Sequence, residues 1–233
     1  MAVVLPGDAI STSSSASLKL GPGLLQTSSI SSKHIIATRA GFLNQTANGS
    51  SFWVEGNSRR YVPATQESVV GVVTARAGGG EAYRVDIGSA HPAQLDGLAF
   101  EGATKRNRPV LKVGSLVYAR VSLAHKDMEP ELECFDAQSR KSEGFGELKG
   151  GFMVKCSLGM CRLLLDARYF LLPLLGSRFP LEVAVGTNGR VWIQAGDTKR
   201  IIMVARCIEA ADPDGGGMDE SGVRTVLQGL DLW

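Results

Sequence analysis

The sequence predicts a mixed β and α+β fold in three parts, and three observations carry that prediction. Short strands broken by turn formers fill the first stretch. A denser series of β-branched runs follows, and helical periodicity enters between strands only in the last third. The boundaries fall at 1–66 for a small all-β domain, 67–148 for a β-barrel and 149–233 for an α+β domain. A chain of 233 residues, 44% of them hydrophobic and 21% charged, has enough apolar material for several small cores.

In the first part, "STSSSAS" (Ser11 to Ser17) is a low-complexity loop and Gly21 to Gly23 force a bend. "HIIATRAGFL", "SFWVEG" and "RRYVP" read as short strands, with Glu55-Gly56-Asn57-Ser58 as the turn between the last two. The second part begins at Ser68 with "VVGVVTARA", a hairpin closed by Gly78-Gly79-Gly80, and "AYRVDIG". "LDGLAF", "LVYARVSLAH" and "ELECFDA" supply three more strands. Five short strands in about seventy residues have the rhythm of an OB-fold barrel, which removes its own sheet edges by closing.

"SRKSEGFGELKGG" then reads as a linker. In the third part "FMVKCS" is a strand and "LGMCRLLLDARYFLLPLL" is one or two helices interrupted at Pro173. "LEVAV" and "RVWIQA" form a strand pair. Ile201, Val204, Ala205 and Ile208 share one face of a helix that Asp197 caps and Asp212-Pro213 ends. Val223, Val226, Leu227 and Leu230 repeat the spacing in a final helix. The order β-α-(α)-β-β-α is that of a type I KH domain.

A formal charge of +2 and a pI near 8.4 are only weakly basic, so any nucleic-acid role must rest on local patches. Cys134, Cys156, Cys161 and Cys207 contain no Cys-x-x-Cys pair, and His34, His91 and His125 are scattered. No metal site, cofactor or small-molecule substrate is expected, and the cysteines suit a reducing compartment. No apolar run reaches membrane-spanning length, and "MAVVLPGDAI" lacks a basic n-region before Pro6-Gly7, so neither a membrane nor secretion is expected. No nucleophile-elbow, metal-helix or phosphate-loop motif occurs, and the carboxylates from Asp127 to Asp136 crowd one short segment, so an enzyme is not expected.

"LEVAVGTNGRVWIQA" contains Gly-x-x-Gly, the spacing with which KH domains clamp a nucleic-acid backbone. In that clamp the loop joins two helices, so that backbone N–H groups face phosphates. Here Val183 and Val185 before the loop, and Val191 and Ile193 after it, alternate with strand period. Asn188-Gly189 is a favoured dipeptide of a type I′ hairpin turn. Gly186, Thr187, Asn188 and Gly189 are therefore read as a structural turn, and Trp192, out of phase with Val191 and Ile193, as filler for a domain interface.

For RNA contact the best candidates are Lys105, Arg106 and Arg108 in "ATKRNRP", cations that can neutralise phosphates without reading bases. Lys126 comes next, although Asp127, Glu129, Glu131 and Glu133 follow it. That acidic stretch suits a protein interface better than RNA. Trp53 and Trp233 read as packing or docking residues.

"RRYVP", "FEGATKRNRP", "HKDMEPE" and "VGTNGRVWI" resemble the S1/KH cap subunits of the eukaryotic RNA exosome that carry a Gly-x-Asn-Gly signature. The resemblance covers nearly the whole chain in the same domain order and implies that the barrel is of the S1 type. It also implies a non-catalytic role on a ring of RNase PH-like subunits, beside other cap subunits, at the entry of the channel for RNA processed from its 3′ end, ribosomal RNA included. The nucleus and nucleolus, and also the cytoplasm, are the compartments implied. The Gly-x-Asn-Gly loop, at Gly186, Asn188 and Gly189, is implied to be architectural between the S1 and KH domains. Tyr83 and Phe100 are the aromatics kept on the barrel for base stacking. A free-standing S1/KH RNA-binding adaptor is the alternative reading.

Overall fold

The computed structural model describes all residues except 1, 12–17, 30, 31, 47, 57, 78, 80, 126, 232 and 233. Most of the serine tract, Gly78, Gly80, Lys126 and Trp233 therefore lie outside the described residues. The chain forms two compact units, Met1–Ser58 and Arg59–Trp233.

Among its described residues the first unit holds seven strands: β1 (Ala2–Val4), β2 (Ala9–Ile10), β3 (Lys19–Leu20), β4 (Leu24–Ser29), β5 (Ser32–Ala37), β6 (Gly41–Gln45) and β7 (Ser51–Glu55). They make two sheets, ordered β1-β6-β7-β3 and β2-β5-β4. Val4, Ala37 and Val54 form a small buried core. "HIIATRAGFL" is not one strand: residues 38–40 break it, so that His34 to Ala37 pair within one sheet and Gly41 to Leu43 within the other. "RRYVP" is not a strand either. Strand β7 pairs with β6, and Tyr61 is buried in the barrel core of the second unit.

The second unit opens with the barrel strands β8 (Ser68–Ala77), β9 (Ala82–Asp86), β10 (Ala93–Phe100), β11 (Leu116–Leu123) and β12 (Glu131–Cys134). The order β12-β10-β9-β8-β11 is closed by pairing of β11 with β12, and β10 runs parallel to β12. This is the closed five-stranded OB topology. The predicted linker contains a sixth strand, β13 (Gly146–Leu148), held on β11 through pairs such as Leu116 with Leu148. Val69, Val73, Val85, Ile87, Leu95, Val117 and Val121 fill the barrel.

The α+β part follows as β14 (Phe152–Lys155), α1 (Leu158–Leu165), α2 (Leu171–Gly176), β15 (Leu181–Gly186), β16 (Arg190–Ala195), α3 (Thr198–Ala211) and α4 (Glu220–Asp231). Its antiparallel sheet has the order β14-β16-β15. The helical break falls at Asp166 to Phe170 and not at Pro173. Pro173 sits in the first turn of α2, where a missing N–H costs nothing, and the first helical bond, Leu174 N to Phe170 O at 3.0 Å, bypasses it. Asp197 occupies the N-cap of α3, but its side chain makes no capping bond and lies 3.7 Å from Arg200 Nε instead. The buried face of α3 is Val204, Cys207, Ile208 and Ala211, rotated from the predicted one toward Cys207.

Gly71 in β8 faces the barrel interior, where a Cβ would lie 2.3 Å from Val85 Cγ1 and 3.3 Å from Ile87 Cγ2. Both neighbours are β-branched and stiff at χ1. Gly71→Ala is expected to destabilise the second unit by about 1–3 kcal/mol through overpacking. Urea unfolding followed by tryptophan fluorescence would measure it, and an unchanged midpoint would contradict this packing.

Candidate nucleic-acid interface

The connection from β10 to β11 carries the predicted cations. Thr104 and Asn107 close a tight turn by exchanging backbone bonds of 3.0 and 3.1 Å, with the Thr104 hydroxyl accepting from Asn107 N at 3.1 Å. Lys105 and Arg106 occupy its tip and are exposed. Arg108 is different. Its guanidinium lies 3.2 Å from Glu81 Oε1, its Nε is buried without a hydrogen-bond partner, and only 21% of its side chain is exposed. The free charge of the loop is thus concentrated at Lys105 and Arg106.

Tyr83 is not a stacking surface. It is 3% exposed, its hydroxyl donates to Pro109 O at 2.8 Å, and it accepts from Leu111 N at 3.2 Å. Arg76 Nη2 donates to Leu111 O at 2.9 Å. Together they pin the returning end of the basic loop, so Tyr83 acts by positioning that loop. Phe100, 9% exposed, belongs to the same core. Period-two alternation with Val85 on β9 was the signal that Tyr83 points inward.

The acidic stretch is largely satisfied within the chain. Glu133 and Asp136 both meet the nearly buried Arg120, and Glu129 lies 3.5 Å from Arg84. Where the barrel meets the α+β part, a groove of about 500 Å³ is lined by Glu143, Glu147 and Glu182, with Lys149 as its cation. That sign disfavours a phosphate backbone. Among the described residues no cluster of three His, Cys, Asp or Glu is placed to hold a metal ion, and no helix is long and apolar enough to cross a membrane.

Residues Thr187 to Gly189 connect β15 to β16, two strands paired from Leu181↔Ala195 to Gly186↔Arg190. The turn is not type I′, because Asn188 does not have positive φ; only Gly189, at +76°, does. Thr187, Asn188 and Gly189 form a three-residue loop whose last position is left-handed, the other common hairpin closure. Asn188 is thereby freed to point out of the hairpin, and it is 6% exposed.

Its target is one edge of β8. That strand starts at Ser68, but β9 pairs with it only from Val72 onward, leaving the backbone before Gly71 unpaired on one side. Thr187 N and Oγ1 both donate to Ser68 O, at 2.9 and 3.1 Å. Asn188 Oδ1 accepts from Val70 N at 3.2 Å while its Nδ2 donates to Val70 O and Ile87 O, each at 2.9 Å. The side-chain amide replaces the peptide group of an absent strand. Gly186 has no alternative, since a Cβ there would lie 2.3 Å from Asn188 Oδ1 and 2.6 Å from Val70 N.

Arg190 adds a charged tie: Nη1 donates to Asp86 O and Nη2 to Asp86 Oδ2, both at 2.6 Å. Burial acts to raise the Asp86 pKa, but Arg190 and the Gly88 N–H outweigh it and hold the carboxyl below its usual range. Trp192, 5% exposed, packs with Val70 and Ala184 and donates from Nε1 to Gly150 O at 3.0 Å. Tyr118, stacked on Phe145, donates to Val185 O at 3.3 Å.

An OB barrel bolted by a Gly-x-Asn-Gly hairpin to a type I KH fold, with a small β domain preceding them in sequence, defines the S1/KH class of proteins. Family models match in the same order: "Exosome complex exonuclease Rrp40 N-terminal domain" over 18–60, "Exosome complex component RRP40, S1 domain" over 61–146, and "KH domain" over 151–199. The exosome complex component rrp40 of Schizosaccharomyces pombe is 47% identical over 207 residues, covering 87% of this chain and 85% of its own. The Drosophila melanogaster component RRP40 is 41% identical, covering 91% and 90%, and the human one 37% identical, covering 82% and 70%. A solved crystal structure described as that of an exosome complex RNA-binding protein shares the fold, with a TM-score of 0.59 at 21% identity, over 74% of this chain and 96% of its own. The chain belongs to the RRP40 family of exosome complex components.

Asn188→Ala would strand Val70 N, Val70 O and Ile87 O without partners, each worth about 1–3 kcal/mol when buried and unpaired. Asn188→Asp, which turns an acceptor toward two carbonyls, is expected to destabilise at least as much despite its near-identical shape. Urea denaturation of both variants tests the amide role, and a neutral Asn188→Asp would refute it. For Asp86 the depressed pKa fixes the sign of the pH dependence. Its contribution is complete above the unfolded value of about 3.9 and is lost as pH falls through the folded value. Asp86→Asn is therefore expected to lower the melting temperature at neutral pH and to converge with the parent in acid; parallel curves would contradict the tie.

Proposed function

We propose that the chain is a non-catalytic, RNA-binding cap subunit of the RNA exosome. It stabilises an RNase PH-like ring and lines the RNA entry path for 3′-to-5′ processing and degradation, including that of ribosomal RNA. The observation that carries this reading is the similarity to RRP40 components across all three domains, with an intact Gly-x-Asn-Gly hairpin. RNA, the ring subunits and other cap subunits are the partners, and the nucleus, nucleolus and cytoplasm the compartments.

Within this reading, RNA meets the exposed cations at the tip of the barrel loop, Lys105 and Arg106, with Lys126 as a further candidate. Arg108 supports the loop through Glu81. Contact is to phosphates, because the barrel aromatics Tyr83 and Phe100 are buried. Ser, His and carboxylate groups are present, but Glu129, Glu133 and Asp136 are engaged with Arg84 and Arg120, which favours a structural use for them.

Affinity purification of the tagged chain from its native cells, followed by sizing and mass spectrometry, tests the assembly. Co-elution with RNase PH-like subunits in one large particle is the expected result, and a lone small protein carrying RNA would overturn it. In the assembled particle, Lys105→Ala with Arg106→Ala is expected to weaken capture of single-stranded RNA and to reduce the slope of log affinity against log salt by about 1.4, roughly 0.7 per lost phosphate contact. Subunit composition should not change, and an unchanged slope would remove this loop from the RNA path.

A further inference from the structure

Cys156 and Cys161 flank the first turn of α1, with their sulfurs 3.3 Å apart. The N-cap between them is Ser157, whose Oγ accepts from Met160 N at 2.9 Å. Cys156 thus stands just before the cap and Cys161 at the fourth helical position, where two apolar side chains ordinarily meet as a hydrophobic staple. Here the staple is made of two thiols. A disulfide has a sulfur separation of about 2.05 Å, so closure asks for roughly 1.3 Å of approach.

The pair differs from the other two cysteines. Cys134 is buried in the barrel core, where burial pushes its thiol up, and Cys207 in the KH core is likewise pushed up to about 11. In the pair, the Cys156 S–H directed at Cys161 Sγ lowers the Cys161 thiol and raises that of Cys156. Backbone N–H groups of Gly189 and Arg190 add to the lowering at Cys161. Cys156 is half-buried while Cys161 is buried, so a small oxidant approaches from the Cys156 side.

The staple also abuts the hairpin that fixes the barrel. Cys156 N donates to Gly189 O at 2.9 Å, and a Cβ on Gly189 would lie 2.8 Å from Cys156 O. On the other side, Ser157 N donates to Asp212 Oδ2 at 2.7 Å.

We propose that Cys156 and Cys161 form a reversible dithiol–disulfide modification site, oxidised by small hydroperoxides and reduced by dithiols. The half-buried Cys156 sulfur attacks one peroxide oxygen as its proton passes across the 3.3 Å contact to the deprotonated Cys161 sulfur. The O–O bond breaks, leaving a sulfenic acid on Cys156 and hydroxide, which takes up a proton as water. The Cys161 sulfur then attacks the Cys156 sulfur, the S–O bond breaks, and the departing hydroxide leaves as water with the Cys161 proton. Two electrons pass from the pair to the peroxide. Two thiols and one hydrogen peroxide become one disulfide and two waters. The product ties the start of α1 covalently to the end of β14, directly behind Gly189.

The sequence offers a clean readout, because cleavage after Lys155 and Arg162 releases Cys156–Arg162, a peptide with both cysteines and neither Cys134 nor Cys207. The reduced full chain is treated with hydrogen peroxide, alkylated under denaturing conditions, cut with trypsin and weighed. The expected result is a peptide short of two hydrogens and unreactive to the alkylator, restored by dithiothreitol, forming at least about tenfold faster in the native chain than in urea. Cys161→Ser should abolish that species and leave Cys156 to oxidise alone. Full alkylation of both cysteines after peroxide, irreversible oxidation without the two-hydrogen loss, or equal rates in native and unfolded chains would each overturn the proposal.

Discussion

The second unit depends on one amide. Strand β8 leaves the barrel with unpaired backbone because β9 begins to cover it only at Val72, and water would otherwise have to satisfy Ser68 O and both polar groups of Val70. Asn188 and Thr187 supply those partners from the tip of a hairpin more than a hundred residues away. A carboxamide is the right group because it presents a donor and an acceptor side by side, as a peptide does. Aspartate lacks the donor, and an aliphatic residue lacks both. The barrel and the KH sheet are joined by strand-like pairing, a more directional bond than apolar packing alone.

Charge is arranged around that joint in the same spirit. Arg190 is held by Asp86 beside the hairpin, Arg120 by Glu133 and Asp136 on the barrel, and Arg108 by Glu81 under the basic loop. A net charge of +2 therefore understates how few of these cations remain available, since the best-placed arginines are spent on internal carboxylates. The tip residues Lys105 and Arg106 stand apart because Thr104 and Asn107 fold the turn beneath them without using their side chains. Availability, more than the count of basic residues, separates a phosphate contact from a structural ion pair.

Much of this was legible in the sequence wherever periodicity is local. Alternation on both sides of Gly186 identified a hairpin, and the out-of-phase Trp192 was readable as interface filler. What escaped was decided by long-range partners. Strand β13 has only the three residues Gly146 to Leu148 and exists because β11 offers it an edge. The turn type followed from what Asn188 must reach, while the Asn-Gly preference alone pointed to a different closure. Pro173 looked like a helix break only because its distance from the helix start was unknown. Tyr83 was misread for its chemistry although its phase with Val85 placed it inside.

The KH fold supplies the last step. Its nucleic-acid clamp depends on glycines between two helices that leave backbone N–H groups free. Here that connection, Asp166 to Phe170, has no glycine, and its amides turn inward: Arg168 N donates to Asp166 Oδ1 at 3.0 Å and Tyr169 N to Asp166 O at 2.9 Å. The Gly-x-x-Gly spacing occurs instead on the strand hairpin, where the same freedom from side chains admits β8 and not a phosphate. Both places where a KH domain could present bare backbone are thus committed within the chain. The domain can orient the barrel, and through it the Lys105–Arg106 tip, but a backbone clamp on RNA at Gly186 to Gly189 would require breaking the bonds to β8 that hold the unit together.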